Sequence, residues 1–188
     1  MTSRRLLAAL LLLPLIAPAV RAAELPRPAP EYIIKLNDGR TLALSQYKGK
    51  VVVLAFILTY CSHCQRTIGF LIQDQNEYGP RGLQVLATAV ESGAQLAVPN
   101  FIRTFNPPFP VGYSDDQGAS AMTFMQHPIM KIPLMPMLAF IDREGIIRAQ
   151  YEGDDANFFG DQHEQNLRKE IEALLKPAPA AKKSAQRN

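Results

Sequence analysis

The hydrophobic pattern of the chain changes from unbroken apolar runs to helical spacing and back again. Residues 51–58 form an unbroken apolar run, and residues 83–90 form a second apolar stretch. Such runs are typical of strands that are buried on both faces of a sheet. Between them, Ile68, Leu71 and Ile72 recur at helical spacing until Gly79-Pro80 ends the helix. A strand, a helix and a strand in this order predict parallel pairing through a crossover.

The rest of the pattern completes an α/β chain. Residues 31–36 and 41–44 flank Asp38-Gly39, which predicts an N-terminal β-hairpin. The order β–β–β–α–β–α–β–α–β–β–α then predicts a mixed central sheet flanked by helices. The remaining predicted elements are helices at 99–104 and 118–125, strands at 109–113, 137–141 and 146–151, and an amphipathic helix that Asp161 caps and Pro177 ends, with Glu164 in the capping-box position.

The two ends of the chain differ from its centre. Residues 1–22 combine Arg4 and Arg5 with a short apolar run and a small-residue site, a pattern that predicts a signal peptide cleaved after Ala22. The run is too short for a comfortable membrane span, although a retained anchor stays open as the alternative. We therefore expect a periplasmic or otherwise extracytoplasmic protein. The predicted organisation is a signal peptide at 1–22, an extended lead-in at 23–30, one domain at 31–176 and a disordered tail at 177–188.

Charge gives no sign of a nucleic-acid partner. The whole chain carries a formal charge of +3, but residues 1–22 contain three arginines and no acid. Cleavage would therefore leave a formally neutral protein, whose overall charge does not argue for nucleic acid. The sequence also contains no glycine-rich phosphate loop, and we expect no cofactor and no resident metal.

The chain has only two cysteines, Cys61 and Cys64, separated by Ser62 and His63. A disulfide this short would constrain little of the unfolded chain, so the spacing favours a redox-active disulfide over a structural one. The pair lies where a buried strand ends and a helix begins. Free N–H groups and the positive end of the helix dipole favour a thiolate there. We expect Cys61 to be the exposed nucleophile and Cys64 the buried resolving thiol.

The residues around the pair are further candidates. His63 can stabilise the Cys61 thiolate by charge or hydrogen bonding, and the alternative is a histidine that merely faces solvent. Tyr60 is expected to pack over the pair and shield it. The two other histidines are His127, which could approach the cysteine loop, and His163, which we expect to be solvated.

Several motifs together are similar to one known family. Residues 39–45, Lys48-Gly49-Lys50, the apolar strand and Cys61-x-x-Cys64 resemble the TlpA-like branch of the thioredoxin superfamily, which is related to the AhpC/TSA redoxins. Met135-Pro136 and the motif Phe-Ile-Asp-x-x-Gly at 140–145 extend the resemblance to about residues 31–175. The resemblance implies a thioredoxin-like fold and thiol–disulfide exchange.

The resemblance also implies a cis-proline loop that faces the cysteines. Pro133 and Pro136 are both candidates, and the spacing to the 140–145 motif selects Pro136. In such a loop Met135 would present its backbone to a substrate chain, and Pro136 would keep metal away from the thiols. Tyr60 and Met135 are therefore the candidate substrate-binding residues.

Three departures from the family pattern bear on the direction of electron flow. Tyr60 stands where relatives usually have Trp, and Ala55 stands where thioredoxins carry a buried polar or acidic residue that assists proton transfer from the resolving thiol. The dipeptide Ser62-His63 resembles that of the oxidising DsbA-like proteins, whose histidine stabilises the reduced state.

The sequence thus favours an exported protein-disulfide reductase. Its partners would be protein thiols and disulfides of the cell envelope and an upstream electron donor or acceptor, with no nucleic acid and no stable membrane span once the signal is cleaved. A DsbA-like oxidant, a thiol peroxidase and a copper carrier remain open. Leu58 and Leu54 replace the Thr/Ser and Pro of peroxiredoxins, which counts against the peroxidase, whereas two thiolates and a histidine would suit Cu(I).

Overall fold

The computed structural model describes residues 24–128 and 131–176. The predicted signal peptide and the predicted tail lie outside the described residues. The described residues form one eight-stranded mixed sheet with the strand order β1-β8-β7-β4-β5-β6-β2-β3. The strands are β1 (Arg27–Pro28), β2 (Ile33–Lys35), β3 (Thr41–Ala43), β4 (Val51–Ile57), β5 (Leu83–Ala89), β6 (Val111–Tyr113), β7 (Met137–Ile141) and β8 (Ile146–Glu152).

Helices cover both faces of this sheet. They are α1 (Ser62–Tyr78), α2 (Ala94–Phe105), α3 (Ala119–Met125), α4 (Ala156–Phe159) and α5 (His163–Leu175), with 3₁₀ turns at Leu44–Tyr47 and Gly79–Arg81. The mixed sheet, the flanking helices and the hairpin of β2 and β3 confirm the predicted fold class.

Strand β4 lies at the centre of the sheet, and all seven of its residues are buried. Alternate side chains point to opposite faces. Val53 and Ala55 pack with residues of α1, α2 and α5, whereas Leu54 and Phe56 pack with the hairpin and α3. Two core clusters therefore meet at one strand, which explains its unbroken apolar sequence.

The β4–α1–β5 crossover positions the cysteines. Strands β4 and β5 pair in parallel from Val51 opposite Leu83 to Ile57 opposite Ala89, as predicted. Both strands consequently end at the same edge of the sheet. The segments that follow them, which begin at Leu58 and Val90, lie side by side there.

Three sequence predictions about element boundaries are wrong. The lead-in is not separate from the domain, because Arg27 and Pro28 pair with β8 as an edge strand. Asp161 does not cap the last helix: the N-cap position is Gln162, and its side chain makes no cap hydrogen bond. The helix expected from Pro99 begins at Ala94, because buried residues spaced along α2 hold it against the sheet despite the internal proline.

Candidate active site

Cys61 occupies the N-cap of α1, immediately beyond the end of β4. Its backbone is extended, with φ −80° and ψ 120°, and its Sγ accepts a hydrogen bond from the backbone N–H of Cys64 at 3.4 Å. The sulfur therefore sits where the unpaired N–H groups of the helix are directed, as the sequence predicts. Both cysteines are free thiols in this structure, and Cys61 is partly exposed.

Cys64 lies one turn further along and is completely buried. The backbone N–H of Leu58 donates to its Sγ at 3.5 Å. Burial raises the pKa of the Cys64 thiol strongly; the Leu58 hydrogen bond opposes that rise, and the nearby Cys61 and the charge of Glu91 add to it. The thiol form of Cys64 is consequently favoured, and the residue needs a proton acceptor before it can act as a nucleophile.

The proline loop approaches Cys61 from the opposite side. The Met135–Pro136 peptide bond is cis, which confirms the predicted position; a second cis bond, Leu25–Pro26, was not predicted. The Sγ of Cys61 lies 3.9 Å from the carbonyl oxygen of Met135. A backbone carbonyl beside the sulfur is where an extended substrate chain could pair. The roles of Met135 and Pro136 in substrate binding stay predictions.

A set of polar contacts holds this proline loop against the end of β8. The N–H of Gly153 donates to the carbonyl of Leu134 at 2.8 Å, and Lys131 pairs with Asp154 at 2.6 Å. His127 is buried, with Nδ1 2.8 Å from a Glu152 carboxylate oxygen and Nε2 2.8 Å from the Lys131 carbonyl oxygen.

His127 therefore does not serve the cysteine loop, which corrects the expectation that it could approach the thiols. Both of its ring nitrogens are occupied in anchoring the proline loop. Within the described residues, no group of three or more His, Cys, Asp or Glu side chains could hold a metal ion. The two thiolates and one histidine of the copper-carrier alternative therefore do not form such a group in that part of the chain.

The expectation that Tyr60 shields the thiols and the expectation that His163 is solvated are both wrong. Tyr60 is 71% exposed and does not shield the thiols, because the turn between β4 and α1 carries its ring away from the core. His163 is only 3% exposed and contacts the rings of Phe70, Phe158 and Phe159. Burial lowers the pKa of His163 to about 4, with smaller contributions from the charges of Arg66 and His63.

His63 lies on the solvent side of α1 and is exposed. The alternative that the sequence left open, a solvent-facing histidine, thus describes its position. An exposed charge is screened by water and salt, so its effect on the sulfur of Cys61 is weakened.

The structure adds Glu91, which the sequence analysis missed. One carboxylate oxygen of Glu91 accepts hydrogen bonds from the backbone N–H of Thr59, at 3.0 Å, and from the Thr59 hydroxyl. Its other oxygen is buried and has no hydrogen-bond partner. A signal was present in the sequence: an acid placed just beyond the strand next to β4 belongs to the same sheet edge as the cysteines.

A shallow cleft beside Cys61 has an apolar rim. Its lining includes Tyr60, Glu91, Ile132 and Met135. Ile132 is 82% exposed, and its neighbour Leu134 is 50% exposed. Grouped apolar side chains on a surface mark places where another protein can bind.

A partly exposed thiol at a helix start, a buried partner thiol and a facing cis-proline loop define a thiol–disulfide oxidoreductase of thioredoxin-like fold. Residues 22–169 match the Redoxin family, and the chain belongs to this family, in its TlpA-like branch. None of the described helices is long and apolar enough to cross a membrane.

Individual relatives agree with this assignment. The chain is 25% identical over 146 residues to the thiol-disulfide oxidoreductase ResA of Bacillus thuringiensis subsp. konkukian, an alignment covering 78% of each chain. A thiol:disulfide interchange protein of the thioredoxin family from Chlorobium tepidum TLS superposes with a TM-score of 0.65 at 22% identity, covering 82% of this chain and 99% of the other. A thiol:disulfide interchange protein from Bacteroides sp. superposes with a TM-score of 0.66 at 16% identity, covering 89% and 100%. The two superpositions support the fold.

Proposed function

We propose that this chain is an exported protein-disulfide reductase that works through a dithiol–disulfide cycle of Cys61 and Cys64. The observation that carries the proposal is the position of the Cys61 sulfur, held at the start of α1 by the Cys64 N–H and 3.9 Å from the Met135 carbonyl. A substrate disulfide that reaches this point meets the nucleophile and a backbone edge together.

The cycle has two exchange steps. The Cys61 thiolate attacks one sulfur of a substrate disulfide, forms a mixed disulfide and releases the other substrate sulfur as a thiolate. The Cys64 thiolate then attacks Sγ of Cys61, which forms the Cys61–Cys64 disulfide and releases the first substrate sulfur. Two electrons pass to the substrate, and a separate donor must reduce the protein again. No cofactor takes part in either step.

The surroundings of Cys61 favour protein substrates. The exposed apolar side chains of Tyr60 and Ile132 at the cleft rim would bind side chains that flank the substrate disulfide, while the Met135 backbone would pair with an extended segment. Pro136 would complete this backbone surface and keep metal from bridging the thiols.

The exposure of His63 supports the reducing direction over the oxidising one. A DsbA-like oxidant needs a strongly stabilised thiolate, and a solvent-exposed imidazole contributes less to that than a buried one. We expect the potential of the couple, measured by equilibration with glutathione, to lie nearer about −270 mV than about −120 mV. A value at the oxidising end would reverse the assignment and make the protein a disulfide donor.

A trapping experiment tests the exchange mechanism itself. A Cys64→Ser variant cannot resolve the mixed disulfide, so it should accumulate adducts with envelope proteins that dithiothreitol releases. The matched control is the Cys61→Ser, Cys64→Ser double variant, which should trap nothing. Equal adduct levels in both variants, or none in either, would contradict the roles given to the two cysteines.

Export is tested separately. The predicted signal peptide implies that the mature protein begins at Ala23 and is recovered from the cell envelope after fractionation. An intact N-terminus on protein from the cytoplasmic fraction would contradict this part of the proposal. An intact N-terminus on protein from the membrane fraction would instead favour the retained anchor.

A further inference from the structure

The resolving step needs a base, but the residue at the position that thioredoxins use for this purpose is Ala55, which is not a base. Ala55 lies on β4, is completely buried and cannot accept a proton. Cys64 is equally buried, so its sulfur carries a proton that must leave before the sulfur can attack. The question is which group near Cys64 can take that proton.

Two consecutive backbone amides connect Cys64 with Glu91. The N–H of Leu58 donates to the Cys64 sulfur, and the N–H of Thr59 donates to a Glu91 carboxylate oxygen. The Cys64 sulfur and the Glu91 carboxylate are therefore bound by the N–H groups of two consecutive residues, Leu58 and Thr59. Consistent with this, the charge of Glu91 is among the causes that raise the pKa of Cys64.

The second Glu91 oxygen is free to act. It is buried and makes no hydrogen bond, whereas Thr59 saturates the first oxygen through its N–H and its hydroxyl. A buried carboxylate oxygen without a donor is costly to the fold, so such a group calls for a functional explanation. The Glu91 side chain also lines the cleft beside Cys61, from which a proton can pass to water.

We propose that Glu91 is the general base of the resolving step, an inference that rests on the proposed function and assigns a further residue to it. In the mixed disulfide, the unpartnered oxygen of Glu91 takes the proton from Sγ of Cys64, directly or across one water molecule. The Cys64 thiolate then bonds to Sγ of Cys61, and the bond between Cys61 and the substrate sulfur breaks. The substrate sulfur leaves as a thiolate with the electron pair of that bond, and Glu91 returns its proton to water in the cleft.

The test separates the two exchange steps with one probe. Dithionitrobenzoate is an aromatic disulfide that releases a coloured thiolate at each step. When it is mixed with the reduced protein, the first thiolate reports attack by Cys61 and the second reports attack by Cys64. A Glu91→Gln variant keeps an oxygen that can accept the Thr59 hydrogen bonds but cannot act as a base. The matched control is Glu144→Gln, which removes a carboxylate from the exposed turn between β7 and β8.

In Glu91→Gln we expect the first release to be unchanged and the second to slow by about 100-fold near neutral pH, the scale of a lost general base. The difference should narrow as pH rises, because hydroxide replaces the carboxylate. Glu144→Gln should match the wild type in both phases. In a Glu91→Ala variant, added formate should restore part of the second-phase rate.

Three results would overturn the assignment of Glu91. They are a second phase within about twofold of the wild-type rate at every pH, a slowing confined to the first phase, and an equal slowing of both phases with an unchanged pH profile, which marks a structural role. A wild-type protein that releases only one thiolate would instead refute the Cys61–Cys64 cycle on which the assignment rests.

Discussion

Asp74 provides the sharpest stability prediction, because its carboxylate is buried without a hydrogen bond. It lies on α1 with 1% exposure, and neither oxygen has a hydrogen-bond partner. Arg168 of α5 approaches to 3.4 Å at an ion-pair distance, but Arg168 also binds Glu77 at 2.8 Å and is itself partly exposed. Burial raises the pKa of Asp74 from 3.8 to about 7, opposed by Arg168 and assisted by neighbouring carboxylates.

The raised pKa means that ionising Asp74 destabilises the folded state. The stability that the fold gains from a protonated Asp74 is fully present below about pH 4, and it is lost as the pH rises through about 7. The pKa of Asp74 differs by about three between the folded and unfolded states, and a difference of one in pKa corresponds to about 1.4 kcal/mol. Ionising Asp74 therefore lowers the free energy of unfolding by at most about 4 kcal/mol. Water at the partly exposed Arg168 and Glu77 screens the site, so we expect about half of that, or about 2 kcal/mol.

An Asp74→Asn variant removes the ionisation and keeps the shape. Its free energy of unfolding should be close to that of the wild type near pH 4 and about 2 kcal/mol higher near pH 8. The assay is urea unfolding followed by far-UV circular dichroism, since the chain has no tryptophan. The comparison must be made at each pH, because His163 acts in the opposite sense and destabilises the fold as the pH falls from about 6.5 to about 4.

A Glu77→Gln variant is the matched control. Glu77 lies on the same helix and contacts the same arginine, but half of its side chain is exposed. The Glu77→Gln substitution should change the free energy of unfolding by less than about 1 kcal/mol, both near pH 4 and near pH 8. A difference between Asp74→Asn and the wild type that does not change with pH would refute the reasoning.

Three further changes test the proline loop, helix α1 and the buried ring of His163. In Gly153→Ala the new Cβ would lie 2.6 Å from the Met135 carbonyl oxygen, so we expect attack by Cys61 to slow about tenfold in the dithionitrobenzoate assay, and an unchanged rate would show that the loop is not held there. Gly69→Ala has open space around the new Cβ inside α1, so the free energy of unfolding should rise by about 0.5–1 kcal/mol with no change in exchange rate. His163→Phe removes a buried ring that must stay neutral, so the variant should lose less stability than the wild type as the pH falls from about 6.5 to about 4; parallel urea-unfolding profiles would contradict this.

Local sequence patterns were sufficient for the elements that carry the cysteines. The unbroken apolar run predicted β4, and helical spacing after Cys64 predicted α1, because both signals depend on residues close together in the chain. The motif spacing likewise selected Pro136 over Pro133 for the cis bond.

Two of the wrong predictions share a cause. Whether His163 meets water and whether Arg27 joins the sheet depend on residues far away in sequence. Type and local spacing gave a plausible answer in each case, but packing against distant elements decided it.

The sequence by itself determined that two cysteines three positions apart would lie at a strand-to-helix boundary, because the signals for that boundary come from residues close together in the chain. The tertiary structure alone decided what surrounds them. Glu91 reaches Thr59 across 32 positions because the parallel pairing of β4 and β5 ends both strands at one edge. His127 hydrogen-bonds Glu152 and does not contact the thiols, because the hairpin of β7 and β8 brings the end of β8 against the proline loop. Local sequence patterns do not encode long-range strand pairing. That pairing places Glu91 beside the cysteines and places Glu152 where it anchors His127 under the proline loop.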